Sequence, residues 1–161
     1  MPMSLTMRKL GWGIGAAVVV LAGVYALTTT GGDAPRPVPG ECASISGTAD
    51  QPRYQVADCA AAQANVKVAK VVDQAGQCPT GGAPYSTYTG PVTLCLIPNL
   101  VEGSCYEQDG EAGVRKADCG SAEAVKVVKA DRGGATCGTG RTLTYPEPSV
   151  TFCLARVGDL R

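Results

Sequence analysis

Three textures follow one another along the chain. Residues 10–27 read LGWGIGAAVVVLAGVYAL, an 18-residue run without a charge. Residues 28–39, TTTGGDAPRPVP, show no apolar periodicity, and Pro35, Pro37 and Pro39 alternate there. From residue 40 onward the apolar positions come in short runs: VKVAKVV at 66–72, VTLCLI at 92–97, AVKVVKA at 124–130 and VTFCLA at 150–155. Runs of this length, rich in β-branched residues and bounded by Gly, Pro and Asp, predict strands. In VKVAKVV the valines fit helical spacing as well as alternation, and valine density favours a strand. The preceding AAAQAN is compatible with a helical turn. Turn residues at 47–52 and 109–113 predict hairpins.

The first texture is long enough to matter to a membrane. A helix of that length spans roughly 27 Å, close to a bilayer core. Arg8 and Lys9 precede it, which favours a cytoplasmic segment 1–9, a transmembrane helix 10–27 and an exported remainder. A cleavable signal peptide is the rival reading, because Val24-Tyr25-Ala26 places small residues around a potential cut after Ala26. Gly11 and Gly15 form a G-x-x-x-G within the span, a spacing that glycine-rich spans show without pairing. The alternating prolines make residues 28–39 an extended spacer.

Cysteine changes the picture most. Cys42, Cys59, Cys78, Cys95, Cys105, Cys119, Cys137 and Cys153 all lie beyond the apolar run. None pairs with another in a C-x-x-C, and the chain has no histidine. Both facts argue against zinc and for a disulfide framework in an oxidising compartment. The cysteines also repeat. Aligning 42 with 105, 59 with 119, 78 with 137 and 95 with 153 brings Ala57-Asp58 onto Ala117-Asp118, Val66-Lys67-Val68 onto Val125-Lys126-Val127, and Val92-Thr93 onto Val150-Thr151. The expected fold is therefore mainly β: two tandem small disulfide-stapled modules, residues 40–100 and 101–158, after the N-terminal helix. Modules this small bury little surface and need staples. The hairpins favour bridges 42–59 and 105–119, which leaves 78–95 and 137–153; a nested pairing, 42–95 with 59–78, remains open.

Gly-Glu-Cys (40–42), Ala-Asp-Cys (57–59), Cys-Pro (78–79) and Thr-Leu-Cys-Leu (93–96), with Gly-Ser-Cys, Ala-Asp-Cys and Thr-Phe-Cys-Leu in the second copy, resemble the LppU-type family of actinobacterial exported proteins. In the second copy Gly138 stands where the first has Pro79, and no lipobox cysteine follows the apolar run. The resemblance implies a place in the cell envelope and no established chemistry.

Charge and motifs exclude more than they assign. Lys and Arg number 14, as do Asp and Glu, so no strong field points to nucleic acid. Without histidine the usual general base and pH switch are missing. No nucleophile elbow, phosphate loop or dinucleotide fingerprint is present. Asp58 and Asp118 could form a carboxylate pair or calcium site, but each reads better as a turn residue accepting backbone N–H groups. Lys67, Lys70, Lys126 and Lys129 could form a basic stripe for envelope phosphates; solubilising an exposed strand is the plainer role. No catalytic, cofactor or metal residue stands out. The sequence points to a non-enzymatic, membrane-anchored extracytoplasmic protein that binds an envelope protein or polymer. The alternative is a secreted inhibitor- or effector-like protein.

Overall fold

Wherever the sequence crowds β-branched residues between turns, the chain forms strands. The computed structural model describes residues 36–109 and 113–160. The expected cytoplasmic segment, the membrane helix 10–27 and most of the spacer lie outside the described residues. The first five strands are β1 (Cys42–Thr48), β2 (Gln51–Val56), β3 (Val66–Val72), β4 (Ser86–Thr89) and β5 (Thr93–Pro98). The next five are β6 (Cys105–Gln108), β7 (Val114–Ala117), β8 (Val125–Asp131), β9 (Arg141–Pro146) and β10 (Ser149–Arg156). They make two five-stranded antiparallel sheets, ordered β2-β1-β3-β5-β4 and β7-β6-β8-β10-β9. The fold is mainly β; among the described residues helix is limited to 3-10 turns at Ala75–Gln77 and Val157–Leu160. Residues 61–65 after Cys59 form turns, not a helical segment, because Ala61 and Ala64 each donate to the carbonyl three residues back and the chain then enters β3.

The two sheets share more than strand order. Gly40 N donates to Val68 O as Gly103 N donates to Val127 O, and both glycines have positive φ, +92° and +84°. That backbone region excludes most side chains and lets each chain turn tightly into its first strand. A β-bulge lies at the same place in both: Val68 faces Leu96 and Lys70 faces Cys95, leaving Ala69 extra; Val127 faces Leu154 and Lys129 faces Cys153, leaving Val128 extra.

The four disulfides are Cys42–Cys59, Cys78–Cys95, Cys105–Cys119 and Cys137–Cys153, with Cα–Cα separations of 5.0, 5.6, 5.3 and 5.4 Å. The pairing is sequential rather than nested. The hairpin ends do not face each other directly, however. Ala117 is the residue opposite Cys105, and Ala57 N donates to Cys42 O, so each second cysteine lies two residues past the ladder. Asp58 and Asp118 turn the chain there. Asp58 Oδ1 accepts Ala60 N at 2.8 Å and Asp118 Oδ1 accepts Gly120 N at 2.7 Å, which swings Cys59 and Cys119 back to the first strand. The second bridge of each set ties a loop onto an inner strand, at Cys95 and Cys153.

Alternation places Ala43, Val66, Val68, Leu94 and Leu96 in one apolar cluster within the first sheet. Complete burial of a leucine side chain contributes about 1.5–3 kcal/mol. A second cluster joins the sheets. Ala69 and Ile97 of the first pack with Tyr106, Val127, Tyr145, Phe152 and Leu154 of the second. Polar contacts seal this seam. Tyr85 Oη donates to Glu147 O at 2.6 Å and accepts Glu147 N at 3.1 Å. Lys70 Nζ lies 2.9 Å from Glu147 Oε2. Ala83 N donates to Thr144 O at 2.7 Å along the outer edge of β9. A Cβ on Gly82 would collide with Thr144 O, so the approach needs glycine. Asn99 Nδ2 donates to Cys59 O and Ala64 O, while its own carbonyl accepts Tyr106 Oη. Residues from Pro37 onward thus form one compact unit.

Candidate functional site

Two clefts open among the described residues. The first has a volume of about 270 Å³ and is lined by Ile45, Val66, Ser86, Tyr88 and Leu96 among others. The second measures about 860 Å³ and is lined at the corresponding positions by Gln108, Val125, Arg141, Leu143 and Leu154. Register sets this correspondence. Val66 faces Ala43 as Val125 faces Tyr106, Ser86 faces Leu96 as Arg141 faces Leu154, and Tyr88 faces Leu94 as Leu143 faces Phe152. The larger cleft, about three times the volume of the smaller, also reaches across the seam, and Val66 and Ser86 of the first sheet line both.

Two tyrosines bridge the first sheet. Tyr54 on β2 and Tyr88 on β4 come from opposite edges of the first sheet, and their rings meet with centroids 5.3 Å apart. Glu41 holds Tyr54 from behind, accepting its hydroxyl at 2.8 Å. Burial, then this hydrogen bond and the Glu41 charge, push the Tyr54 hydroxyl well above its ordinary pKa. Tyr54 faces Ile45; in the second sheet Val114 faces Gln108 in the same way. Val114 and Leu143 therefore stand where the first sheet has its two tyrosines, and Ser104 stands where it has Glu41. Two shorter side chains cannot span the same gap, so the second cleft stays open. Pro84 and Pro98 of the first half add to its wall.

The floor of the larger cleft is apolar: Leu143, Leu154, Tyr145, Val114 and Val125. Burial raises the Tyr145 hydroxyl pKa, with Tyr85 adding to the shift and Arg141 opposing it. The rim is charged. Arg141 and Arg156 flank Leu154, the first opposite it on β9 and the second two residues along β10, which puts all three on one face. Glu107, Glu123 and Asp159 also border the cleft. Arg115 lies 2.9 Å from Glu107, whereas the other four charges form no ion pair among the described residues.

The residues singled out from sequence are distributed differently. Asp58 and Asp118 do not meet; each closes its own turn. Among the described residues no cluster of three metal-ligating side chains exists. The lysines form no stripe, since Lys70 pairs with Glu147 and Lys129 approaches Asp131 at 3.4 Å. Sequence reading missed the cleft residues. Between the third and fourth cysteines the copies differ in length, so Tyr88 and Leu143 align only once strand register is known. The chain matches no family model, no curated protein and no solved structure.

Proposed function

We propose that this protein is a non-enzymatic binding protein of the cell envelope, anchored through residues 10–27, with residues 40–100 and 101–158 as two copies of one module. The cleft of the second copy is the working site. The observation that carries this reading is the large cleft over the apolar face of the second sheet, where Val114 and Leu143 stand at the positions of the aromatic pair that bridges the first sheet. A pocket of this size suits a small molecule or a few residues of a partner. Shared strand order, bulge position and glycine turns support duplication. Four disulfides support an oxidising compartment. The resemblance to LppU-type proteins supports the envelope. In this reading the first copy braces the second, because its Ala69 and Ile97 fill the seam.

Photo-crosslinking in the native envelope tests it. A photoreactive residue replacing Leu143 in the exported chain should give a discrete adduct, and the same group replacing Ser46, which lines only the first cleft, should not. The adduct should vanish when Val114→Tyr narrows the cleft. Equal labelling at the two positions would count against a specialised second cleft.

A further inference from the structure

We propose that the second cleft takes a zwitterionic single-chain amphiphile, a lysophospholipid-like molecule, with its acyl chain on the apolar floor and its two headgroup charges on the rim. The inference rests on the binding role proposed above and specifies the ligand.

The rim supplies charges of both signs in a definite order. Arg141 faces Leu154 across β9 and β10, and Arg156 faces Val125 across β10 and β8. The chain then bonds onward, Val157 N to Ala124 O and Gly158 N to Ala122 O, which brings Asp159 and Glu123 together beyond Arg156. Read along β10, two guanidinium groups come first and two carboxylates follow. Asp159 follows Arg156 by three residues within the 3-10 turn Val157–Leu160, which rises about 2 Å per residue, so the two positions lie on the order of 6 Å apart along the backbone. Long side chains close that gap to the span of a phosphate and an amine on one headgroup. Arginine suits the phosphate because its planar fork donates two parallel hydrogen bonds. The carboxylates suit the ammonium.

Availability matters as much as position. All four groups are exposed and none forms an ion pair among the described residues. Loose association among exposed charges is worth little, so a ligand can replace it at small cost. The first sheet has Ser86 and Pro98 at the register positions of Arg141 and Arg156, so the arginines are particular to the second half. The larger cleft thus combines an apolar floor with a pair of arginines, whereas no charged residue lines the smaller. An anion alone would leave Glu123 and Asp159 beside its charge, and a cation alone would leave the arginines unmatched. A head with both charges satisfies the whole rim.

The test uses the full chain in lipid nanodiscs, with empty discs subtracted, and equilibrium dialysis of four soluble medium-chain amphiphiles. These are a lysophosphatidylethanolamine, a fatty acid, an alkylamine and a monoacylglycerol. The zwitterion should bind tightest, by about tenfold over each of the others, as one or two charge-assisted contacts provide. Arg141→Gln with Arg156→Gln should remove that advantage. Glu123→Gln with Asp159→Asn should weaken the zwitterion and strengthen the fatty acid, a reversal that misfolding cannot produce. If the monoacylglycerol binds as tightly as the zwitterion and the arginine variants change nothing, the headgroup inference is overturned while the cleft keeps its binding role. If no amphiphile binds the wild type better than the Val114→Tyr, Leu143→Tyr variant, both fall. Concentration-dependent dimerisation through this face, blocking all four ligands, would also overturn the proposal.

Discussion

Tyr54 and Tyr88 sit on opposite edge strands of one sheet, yet their ring centroids are 5.3 Å apart. A flat five-stranded sheet would hold its edges about four strand spacings, roughly 19 Å, from each other. The contact therefore reports how strongly the first sheet curls, and it explains why the first cleft is small. Tyr88→Leu should open that cleft and destabilise the protein by about 1–2 kcal/mol, the aromatic pair plus part of its buried area. Urea unfolding with the disulfides intact measures it. The reciprocal change in the second sheet, Leu143→Tyr, should be close to neutral, because it fills open space.

The bulge residues offer a second asymmetric pair. Ala69 is 6% exposed in the seam, whereas Val128, its counterpart, is 39% exposed. Ala69→Val should overpack the seam at a cost of about 1–3 kcal/mol. Val128→Ala should change stability by less than about 0.5 kcal/mol. Equal effects in denaturant melts would mean that the two sheets do not share a core.

Alkaline pH should weaken the fold through Tyr54. Its pKa is raised above the ordinary 10.0, by burial first and then by Glu41, so the folded state favours the neutral phenol. Below the unfolded value both states hold the proton and the stability is fully present. As pH rises from there through the folded value, the unfolded chain releases its proton first and stability falls. Tyr145, raised in the same direction, adds to the trend. Urea midpoints between about pH 8 and pH 11 should decline more steeply in the wild type than in Tyr54→Phe.

The disulfides are expected to be complete. Protein unfolded without reductant should take up no thiol label, and non-reducing peptide maps should join Cys42 to Cys59 and Cys105 to Cys119. Replacing Cys78 and Cys95 together by alanine should cost about 2–4 kcal/mol, since that bridge closes a loop of moderate length. A mapped peptide linking Cys42 to Cys95 would refute the pairing.

An export-dependent reporter fused after Arg161 should be active, because Arg8 and Lys9 precede the uncharged run and all eight cysteines follow it. Activity of a cytosol-only reporter would reverse the topology. Mature size on a denaturing gel separates a retained anchor from cleavage after Ala26.

Local chemistry alone determined much of this protein. Val66, Val68, Leu94, Leu96, Phe152 and Leu154 declare strands because β-branched and apolar residues recur there between turn signals, and strand pairing preserves that local preference. Asp58 and Asp118 declare turns because a carboxylate two residues before an N–H can accept it regardless of what surrounds it. The cysteine spacing implied a repeat and narrowed the bridges to two arrangements. The hairpins favoured the sequential arrangement that the structure has, but the reason differs: Cys59 reaches Cys42 through the turn at Asp58, not across the ladder. The cleft was hidden for a related reason. Tyr54 and Tyr88 are separated by three intervening strands, and only the curl of the whole sheet makes them neighbours. Arg141 and Arg156 share a rim only through the β9–β10 register. Likewise Ala69 is buried and Val128 exposed although they occupy the same bulge, because burial depends on what packs from outside and only the first sheet has another sheet against that face.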